Sequence, residues 1–391
     1  MMFNRNLTKK EWGLFFVTLL ILFLFINIVA HHIILRKTEL SIYDSEKYWK
    51  YKTSFYKDLN KGSLPHPFFG LGSQGRGSFQ NNLTNESLFD TISEIKDKNS
   101  IRVLVLGGSV ASNLSNSGSG HDENLLATQL NSHFKTEKFV VYNAAFGGGK
   151  QPQQYFKYQY LDLLGFRPHI VINLDGFNEV ALPLSENKPL GNPAIFPRSY
   201  SRLLFAASSD RSCASFSNKL LEFDTKLPIT EILILLLVQN CHYKIEGDPT
   251  SKPWWSSAMG VDSNTNYLSE SIAIWELSSN KLNEVLTARG IDYIHILQPN
   301  QYLEGSKIFS NKEKEDFLNF DKYGKPIKDN YSKLSKQNLT TSNFKDQRWL
   351  FANTTETVYA DNCCHFNQFG MQMIINNIIT SNEAIFRKHL K

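Results

Sequence analysis

Short apolar runs alternate with amphipathic stretches over much of the chain beyond residue 100. The runs have little or no polar face, which predicts strands of a parallel sheet buried on both sides; they are residues 101–106 (IRVLVL), 138–143 (KFVVYN), 169–174 (HIVINL) and 291–297 (IDYIHIL). Apolar residues at helical spacing predict helices over residues 122–134, 152–164, 271–289 and 368–388. Such strand and helix units favour an α/β fold, a three-layer α/β/α flavodoxin-like sandwich around a parallel sheet.

The N-terminal region has a different pattern. Residues 12–35 contain no Asp, Glu, Lys or Arg, and a helix of that length spans roughly 36 Å, enough to cross a hydrocarbon core. A cleaved secretory signal has a shorter apolar region and a small-x-small exit, which Ile28-Val29-Ala30 matches poorly. We therefore expect an uncleaved, single-pass transmembrane anchor after a short tail of residues 1–11.

The orientation of this anchor stays open at the sequence level. Basic residues lie at positions 5, 9 and 10 before the anchor and at positions 36, 37, 47, 50 and 52 after it. Because more of them follow the anchor than precede it, the positive-inside rule does not favour a cytoplasmic N-terminus. A large domain that follows an anchor can translocate regardless of its charge. We expect the domain to be extracytoplasmic. Aromatic residues over 43–56 fit either an interfacial segment or an amphipathic helix of the domain.

Composition narrows the class of protein. The 391 residues are 41% hydrophobic and 20% charged, which is typical of a globular protein. The net charge of +5 is small and both signs are interspersed, so no nucleic-acid partner is indicated. We expect a juxtamembrane segment and connector at 36–100 and one domain at 101–391. Two stretches interrupt its alternating pattern, at about 183–265 and 300–352, and we interpret them as insertions or lids.

Residues that could carry chemistry follow three of the predicted strands. Ser109 comes after two glycines, a triple glycine occupies 147–149, and Asn178 follows the third strand. His365 precedes the last predicted helix. Because the carboxyl ends of parallel strands meet at one edge of the sheet, we expect these groups to converge. Taken singly, Ser109 and Asn178 could be helix caps.

These segments resemble the blocks of the SGNH (GDSL-like) hydrolase superfamily. Residues 107–109 (GGS) stand where the first block has Gly-Asp-Ser, and residues 143–148 (NAAFGG) are similar to the second block. Residues 176–179 (GFNE) look like the third block, Gly-x-Asn-Asp, and the segment ending at His365 resembles the fifth block, Asp-x-x-His. The resemblance covers roughly residues 100–180 and 290–390.

The resemblance implies ester chemistry through an acyl-enzyme. Ser109 would be the nucleophile and His365 the base that activates it. The backbone N–H groups of Ser109 and Gly148 and the side-chain amide of Asn178 would form an oxyanion hole. Together with the expected anchor, this favours a membrane-anchored serine esterase. Membrane attachment, and not a residue pattern, makes an acylated cell-envelope glycan or lipid the expected substrate.

The chain departs from the family pattern at two positions. Gly108 replaces an acidic residue, which concerns the turn and not the proton chemistry. The residue three before His365 is Asn362, while Asp361 lies four before it. The usual turn would bring Asn362 to the imidazole. We favour a one-residue bulge that brings Asp361 there, because a carboxylate stabilises the imidazolium formed during reaction.

Other functions remain compatible with the sequence. An O-acyltransferase would use the same residues, and a catalytically silent glycan-binding protein could keep the fold. No cofactor or metal is expected, since Cys241-His242 and Cys363-Cys364-His365 fit no standard zinc spacing. Cys213 and Cys241 could form a disulfide if the domain lies outside the cytosol. Trp254 and Trp255 could stack on a sugar or belong to a core.

Overall fold

The computed structural model describes most of the chain beyond residue 123 and parts of the region before it. The described residues are 8–37, 64–66, 70–72, 99–115, 124–189, 191–198, 266–318 and 321–391. The sequence predictions for residues 43–56, Cys213, Cys241, Trp254 and Trp255 lie outside them. The chain forms two compact units, one of Met1–Lys61 with Leu204–Ser251 and one of Gly62–Leu203 with Lys252–Lys391.

In the first unit the described element is helix α1, Lys9–Lys37. Its segment Trp12–Val29 is long and apolar enough to cross a membrane, and its large apolar side chains are mostly exposed. The side chains of Thr18 and Asn27 donate hydrogen bonds to carbonyls one turn earlier, those of Leu14 and Phe23. Such bonds satisfy polar groups where water is absent. A signal sequence near an N-terminus has the same properties.

The second unit is built on a five-stranded parallel sheet. Its strands are β3 (Ile101–Gly107), β4 (Phe139–Asn143), β5 (Ile170–Asp175), β6 (Asp292–Leu297) and β7 (Phe344–Asp346), in the spatial order β4-β3-β5-β6-β7. Numbered along the chain this is the order 2-1-3-4-5 of flavodoxin-like sheets. A separate antiparallel pair joins β1 (Leu64–His66) to β2 (Gly70–Gly72). The predicted flavodoxin-like α/β architecture is confirmed.

Helices connect these strands and follow the last one. They are α2 (Ser109–Ser112), α3 (Leu125–Phe134), α4 (Gln153–Leu163), α5 (Phe177–Leu182), α6 (Tyr267–Ala288), α7 (Asn311–Phe317), α8 (Asp321–Asn330), α9 (Gln368–Ser381) and α10 (Glu383–Lys388). Pro183–Asn187 continues α5 as a π-helical turn.

The core lies on both faces of the sheet, which explains why its strands have no polar face. In β3, Val103 and Val105 belong to one apolar cluster, which also contains Ile374 of α9. The alternate residues Leu104 and Leu106 belong to a second cluster on the other face, with side chains of α4 and α6. Side chains alternate between faces along a strand, so each face of β3 is covered by helices.

The structure differs from the sequence prediction in two places. The predicted helix over 368–388 is two helices, because Asn382 ends α9 and precedes α10. The polar stretch 300–352, predicted as an insertion, contains α7, α8 and the edge strand β7. Strand β7 has three residues, of which one is buried, so it offers no periodicity to detect.

Candidate active site

The candidate site lies where the strand order reverses. Strand β3 ends at Gly107, and α2 begins at Ser109. The neighbouring strand β5 ends at Asp175 and is followed, after one glycine, by α5 with Asn178 in its first turn. In open α/β sheets this crevice between diverging connections is the usual place for a ligand.

A sharp turn at Gly107 places the serine at this edge. Gly107 pairs with Leu174 of β5 and has φ +141°, a conformation that favours glycine. A Cβ at Gly107 would lie 2.1 Å from the carbonyl oxygen of Leu174. The chain can therefore leave the sheet here only through a glycine, and the first side chain of the following helix is that of Ser109.

Ser109, His365 and Asp361 form a hydrogen-bonded chain. The Oγ atom of Ser109 lies 2.7 Å from Nε2 of His365, and Nδ1 of His365 lies 2.5 Å from Oδ2 of Asp361. In the tautomer this arrangement favours, Nδ1–H donates to the carboxylate and Nε2 accepts from the hydroxyl. The side chains of His365 and Asp361 are 30% and 39% exposed, so a substrate can reach them from solvent.

The pKa shifts of His365 and Asp361 are those expected if His365 acts as a general base. Burial alone lowers the pKa of the His365 imidazole, but the hydrogen bond and charge of Asp361 outweigh it and raise the pKa above 6.5. Burial raises the pKa of Asp361, but the hydrogen bond and charge of His365 and two backbone N–H groups lower it to about 2. Asp361 therefore stays ionised while His365 gains and loses a proton.

The backbone around Asp361 determines which residue faces the imidazole. Its Oδ1 atom accepts hydrogen bonds from the backbone N–H groups of Cys363, Cys364 and His365, at 2.9, 3.0 and 3.2 Å. These bonds hold the carboxylate beneath the turn, with Oδ2 against Nδ1. The neighbouring Asn362 uses its backbone carbonyl to accept from the hydroxyl of Tyr302. Asp361, four residues before the histidine, is thus the residue placed beside the imidazole.

The triple glycine after β4 has three different environments. Gly147 is exposed, and a Cβ there would meet nothing within 4 Å. Gly148 is buried and has φ +74°. A Cβ at Gly149 would lie 2.6 Å from the carbonyl oxygen of Gly107, so this loop packs against the end of β3. Among the described residues, the buried N–H of Gly148 has no hydrogen-bond acceptor and is free for a ligand oxygen.

Asn178 lies between this loop and the serine turn. Its Nδ2 atom donates to the carbonyl oxygen of Gly149 at 2.8 Å. An amide nitrogen carries two hydrogens, so the second remains as a donor. A Cβ on Gly108 would lie 2.3 Å from the same nitrogen. The glycine at position 108, where the family pattern has an acidic residue, is therefore what makes room for the Asn178 amide.

Glu179 joins the two loops that carry these donors. Its carboxylate is fully buried and accepts from the backbone N–H of Gly176 at 2.9 Å and of Gln151 at 3.0 Å. Burial and the nearby charge of Asp175 raise the pKa of Glu179 to about 8. The sequence indicated Glu179 only as a variant of the last position of a motif, and its bridging role was missed.

Arg198 is a second residue that sequence reasoning missed. Its Cδ atom lies 2.6 Å from where a Cβ on Gly148 would be, so the side chain covers this glycine. Its Nε donates to Oε2 of Glu186 at 3.0 Å, and Oε1 of Glu186 accepts from the hydroxyl of Tyr323 at 2.9 Å. Arg198 belongs to an unmatched insertion without periodicity, so no sequence signal marks it.

Cys363, Cys364 and His365 bring one Nδ1/Nε2 or Sγ atom each within 4.8 Å of one another. The two Sγ atoms are 3.0 Å apart. Both ring nitrogens of His365 are already engaged by Asp361 and Ser109. A metal ion bound to His365 would have to displace one of these hydrogen bonds, so metal binding here would break the hydrogen-bonded chain from Ser109 to Asp361.

No model of a known protein family and no curated protein sequence matches this chain. Solved structures similar to it include the acetyl xylan esterase AlAXEase, with 14% identity, a TM-score of 0.36, and coverage of 72% of this chain and 99% of that one. An acetylxylan esterase from Geobacillus stearothermophilus has 12% identity, a TM-score of 0.35, and coverage of 72% and 93%. An α/β hydrolase from the metagenome of Lake Arreo has 14% identity, a TM-score of 0.34, and coverage of 73% and 95%. At these values the likeness carries no conclusion about activity.

Proposed function

We propose that this chain is a serine ester hydrolase of the SGNH (GDSL-like) type. The observation that carries the proposal is the continuous hydrogen-bonded chain from Ser109 Oγ through His365 to Asp361. Two residues that are 256 positions apart meet at hydrogen-bond distance at the edge of the sheet where ligands bind. Asn178 of the third SGNH-like block and Gly149, which directly follows the second, lie against Gly108 and Gly107, the two residues before this serine, which supports an assignment to this family.

In the proposed reaction Ser109 attacks the carbonyl carbon of an ester. His365 takes the hydroxyl proton during attack and gives it to the leaving alcohol, while Asp361 keeps the imidazole oriented and stabilises its charged form. A water molecule then attacks the acyl-serine, with His365 again accepting a proton and returning it to the serine oxygen. The products are the free acid and the free enzyme.

The negative oxygen of the tetrahedral intermediate needs donors that are already in position. We assign this role to the N–H groups of Ser109 and Gly148 and to the second hydrogen of the Asn178 amide. The buried N–H of Gly148 and the fixed position of the Asn178 amide support this assignment. Loss of one such donor in other acyl-transfer enzymes costs about a hundredfold to a thousandfold in rate.

We further propose that α1 anchors the enzyme in a membrane, with the hydrolase domain extracytoplasmic and an acylated cell-envelope glycan or lipid as substrate. The exposed apolar surface of Trp12–Val29 supports the anchor. A protease added to intact cells or spheroplasts should degrade the domain but leave α1 protected. If the domain is cut only after lysis, the proposed sidedness is wrong.

The central test is covalent labelling of the full-length protein in detergent with a fluorophosphonate probe. Wild type should be labelled at Ser109 and should hydrolyse 4-nitrophenyl acetate, and Ser109→Ala should lose both properties. The matched control is Ser112→Ala, which removes a hydroxyl one turn further along the same helix. A folded wild-type protein that is neither labelled nor active would refute the hydrolase and support a binding protein.

A further inference from the structure

The segment that leads to Arg198 is fixed in place by buried polar groups. The side-chain amide of Asn187 donates to the carbonyls of Pro193 and Phe196, both at 3.1 Å. Lys150, which directly follows the triple glycine, donates to the carbonyl of Ala194 at 2.5 Å. Gln153 in the first turn of α4 donates to the carbonyl of Ile195 at 2.7 Å. These hydrogen bonds therefore fix the segment that brings Arg198 to Gly148.

The guanidinium of Arg198 is held by one edge. Its Nε is paired with Glu186, whose side chain is only 9% exposed and is also bound by Tyr323. The side chain of Arg198 is itself 43% exposed, and among the described residues its two Nη atoms have no hydrogen-bond acceptor. A planar pair of N–H donors with one edge fixed and the other open matches a carboxylate or phosphate.

The stem of the Arg198 side chain lies against the candidate site. The Cβ, Cγ and Cδ atoms of Arg198 lie 3.1, 3.4 and 2.6 Å from the position of a Cβ on Gly148. The charge of Arg198 also interacts with His365 and Cys363 of the base-bearing turn. Arg198 thus lies close both to the proposed oxyanion donor, Gly148, and to the turn that carries the proposed base, His365.

We propose that Arg198 binds an anionic group, a carboxylate or phosphate, that the ester substrate carries near its scissile bond. This inference rests on the proposed ester chemistry of Ser109 and adds the substrate class. Nε stays with Glu186, which holds the plane of the guanidinium, while the two Nη groups donate to the anion. The acylated polymer or lipid would accordingly be an acidic one, esterified close to an acid group.

The test compares matched pairs of anionic and neutral esters with the full-length enzyme. One pair places the anion in the acyl part, 4-nitrophenyl hemiglutarate against 4-nitrophenyl valerate. The other pair places it in the alcohol part, 3-acetoxybenzoate against 3-acetoxybenzamide. The measured quantity is the ratio of kcat/KM values within each pair at several salt concentrations. Salt screens charge attraction, so a bound carboxylate predicts a ratio that falls as salt rises.

Arg198→Gln should lower this ratio at least about tenfold in one of the pairs, as expected for loss of a charge-assisted hydrogen bond. Arg198→Lys keeps the positive charge but loses the paired N–H donors of the guanidinium. Its ratio should therefore lie between those of wild type and Arg198→Gln. The charge-matched control is Arg167→Gln, because Arg167 precedes β5 at the opposite edge of the sheet and pairs with Asp162. Equal losses on the anionic and neutral esters in Arg198→Gln would overturn the proposal.

A second measurement separates this proposal from the proposed function. Isothermal titration calorimetry of Ser109→Ala with 3-acetoxybenzoate and with glutarate reports binding without turnover. Binding that is lost in the Ser109→Ala/Arg198→Gln double variant supports the anion site even if wild type proves inactive. Active wild type together with no dependence on Arg198 in either assay refutes the anion site alone.

Discussion

Oδ2 of Asp361 accepts a hydrogen bond from Nδ1 of His365 at 2.5 Å, across four sequence positions where the family pattern has three. The extra residue is accommodated because Oδ1 of Asp361 binds three consecutive backbone N–H groups within the turn. The carboxylate is therefore part of the turn that carries the base. Under the proposed chemistry, this relationship makes the pH dependence of ester hydrolysis sensitive to Asp361.

We expect kcat/KM of wild type to rise with pH through an inflection above 6.5, because only the neutral imidazole of His365 accepts the serine proton. Asp361→Asn removes the charge that raises this pKa, so the inflection should move to lower pH. Rate should fall by about a thousandfold to ten-thousandfold, since the tautomer is no longer fixed. Steady-state kinetics from pH 5 to 9 measure both effects, with Asn362→Ala as the control that changes neither.

The close approach of Gly108 to the Asn178 amide predicts that substitutions at these two positions lower kcat through the same group. In Gly108→Ala the new Cβ would lie 2.3 Å from Nδ2 of Asn178 and must push the amide away, although the backbone at Gly108 has φ −90°, which alanine tolerates. We expect kcat to fall by about a hundredfold to a thousandfold, as for loss of one oxyanion donor, with little change in Tm. Asn178→Ala should have a similar effect.

A double-mutant cycle tests whether these two substitutions act on the same donor. If they do, the double variant should be little worse than Asn178→Ala alone, because the amide is already gone. Independent, multiplying losses would show that Gly108→Ala acts elsewhere in the serine turn. Circular dichroism melts of all variants provide the folding control.

Gly147 and Gly148, neighbours in the loop after β4, should respond differently to substitution by alanine. Gly148→Ala places a methyl group at φ +74° and against Arg198, so we expect a destabilisation of about 1–2 kcal/mol and a drop in kcat. Gly147→Ala meets open space and should leave both unchanged. Chemical denaturation and ester hydrolysis measure the two quantities, and an equal effect of both substitutions would contradict the assigned roles.

The buried carboxyl of Glu179 predicts a pH dependence of stability. Its pKa rises from 4.5 in the unfolded chain to about 8 in the folded one, so between these values the folded protein holds a proton that the unfolded chain releases. Its contribution to the free energy of unfolding therefore falls as pH rises through this window and levels off above about 8. In thermal melts, wild type should lose stability relative to Glu179→Gln as the pH rises from 5 to 8. A difference that is constant with pH would contradict the raised pKa.

The order of elements was predictable because its signals are local. The strand predicted over 169–174 is found at Ile170–Asp175, and the one over 291–297 at Asp292–Leu297. A strand that is buried on both faces is a short run of apolar residues without a polar face, and glycines mark the ends of such runs. The convergence of Ser109 and Asn178 then follows from the geometry of parallel sheets.

The residues that surround the site could not be predicted in the same way. Glu179 and Arg198 act through contacts with loops distant in sequence, Gln151 and Gly148, and a polar residue in a loop carries no periodicity. Whether Asp361 or Asn362 faced the imidazole depended on the backbone conformation of one turn. The conformation of such a turn is determined by tertiary hydrogen bonds, which leave no local signal in the sequence.

Ser109, the proposed nucleophile, follows the first strand of the large sheet, whereas His365, its proposed base, precedes the last two helices that the structure describes. A ribosome synthesises the chain from the N-terminus, so the serine and most of the sheet exist while the histidine is still to be made. A nascent or C-terminally truncated chain would carry an unactivated hydroxyl. Under the proposed chemistry, competence for acylation thus arises only after His365 has been synthesised and its turn has packed against Ser109.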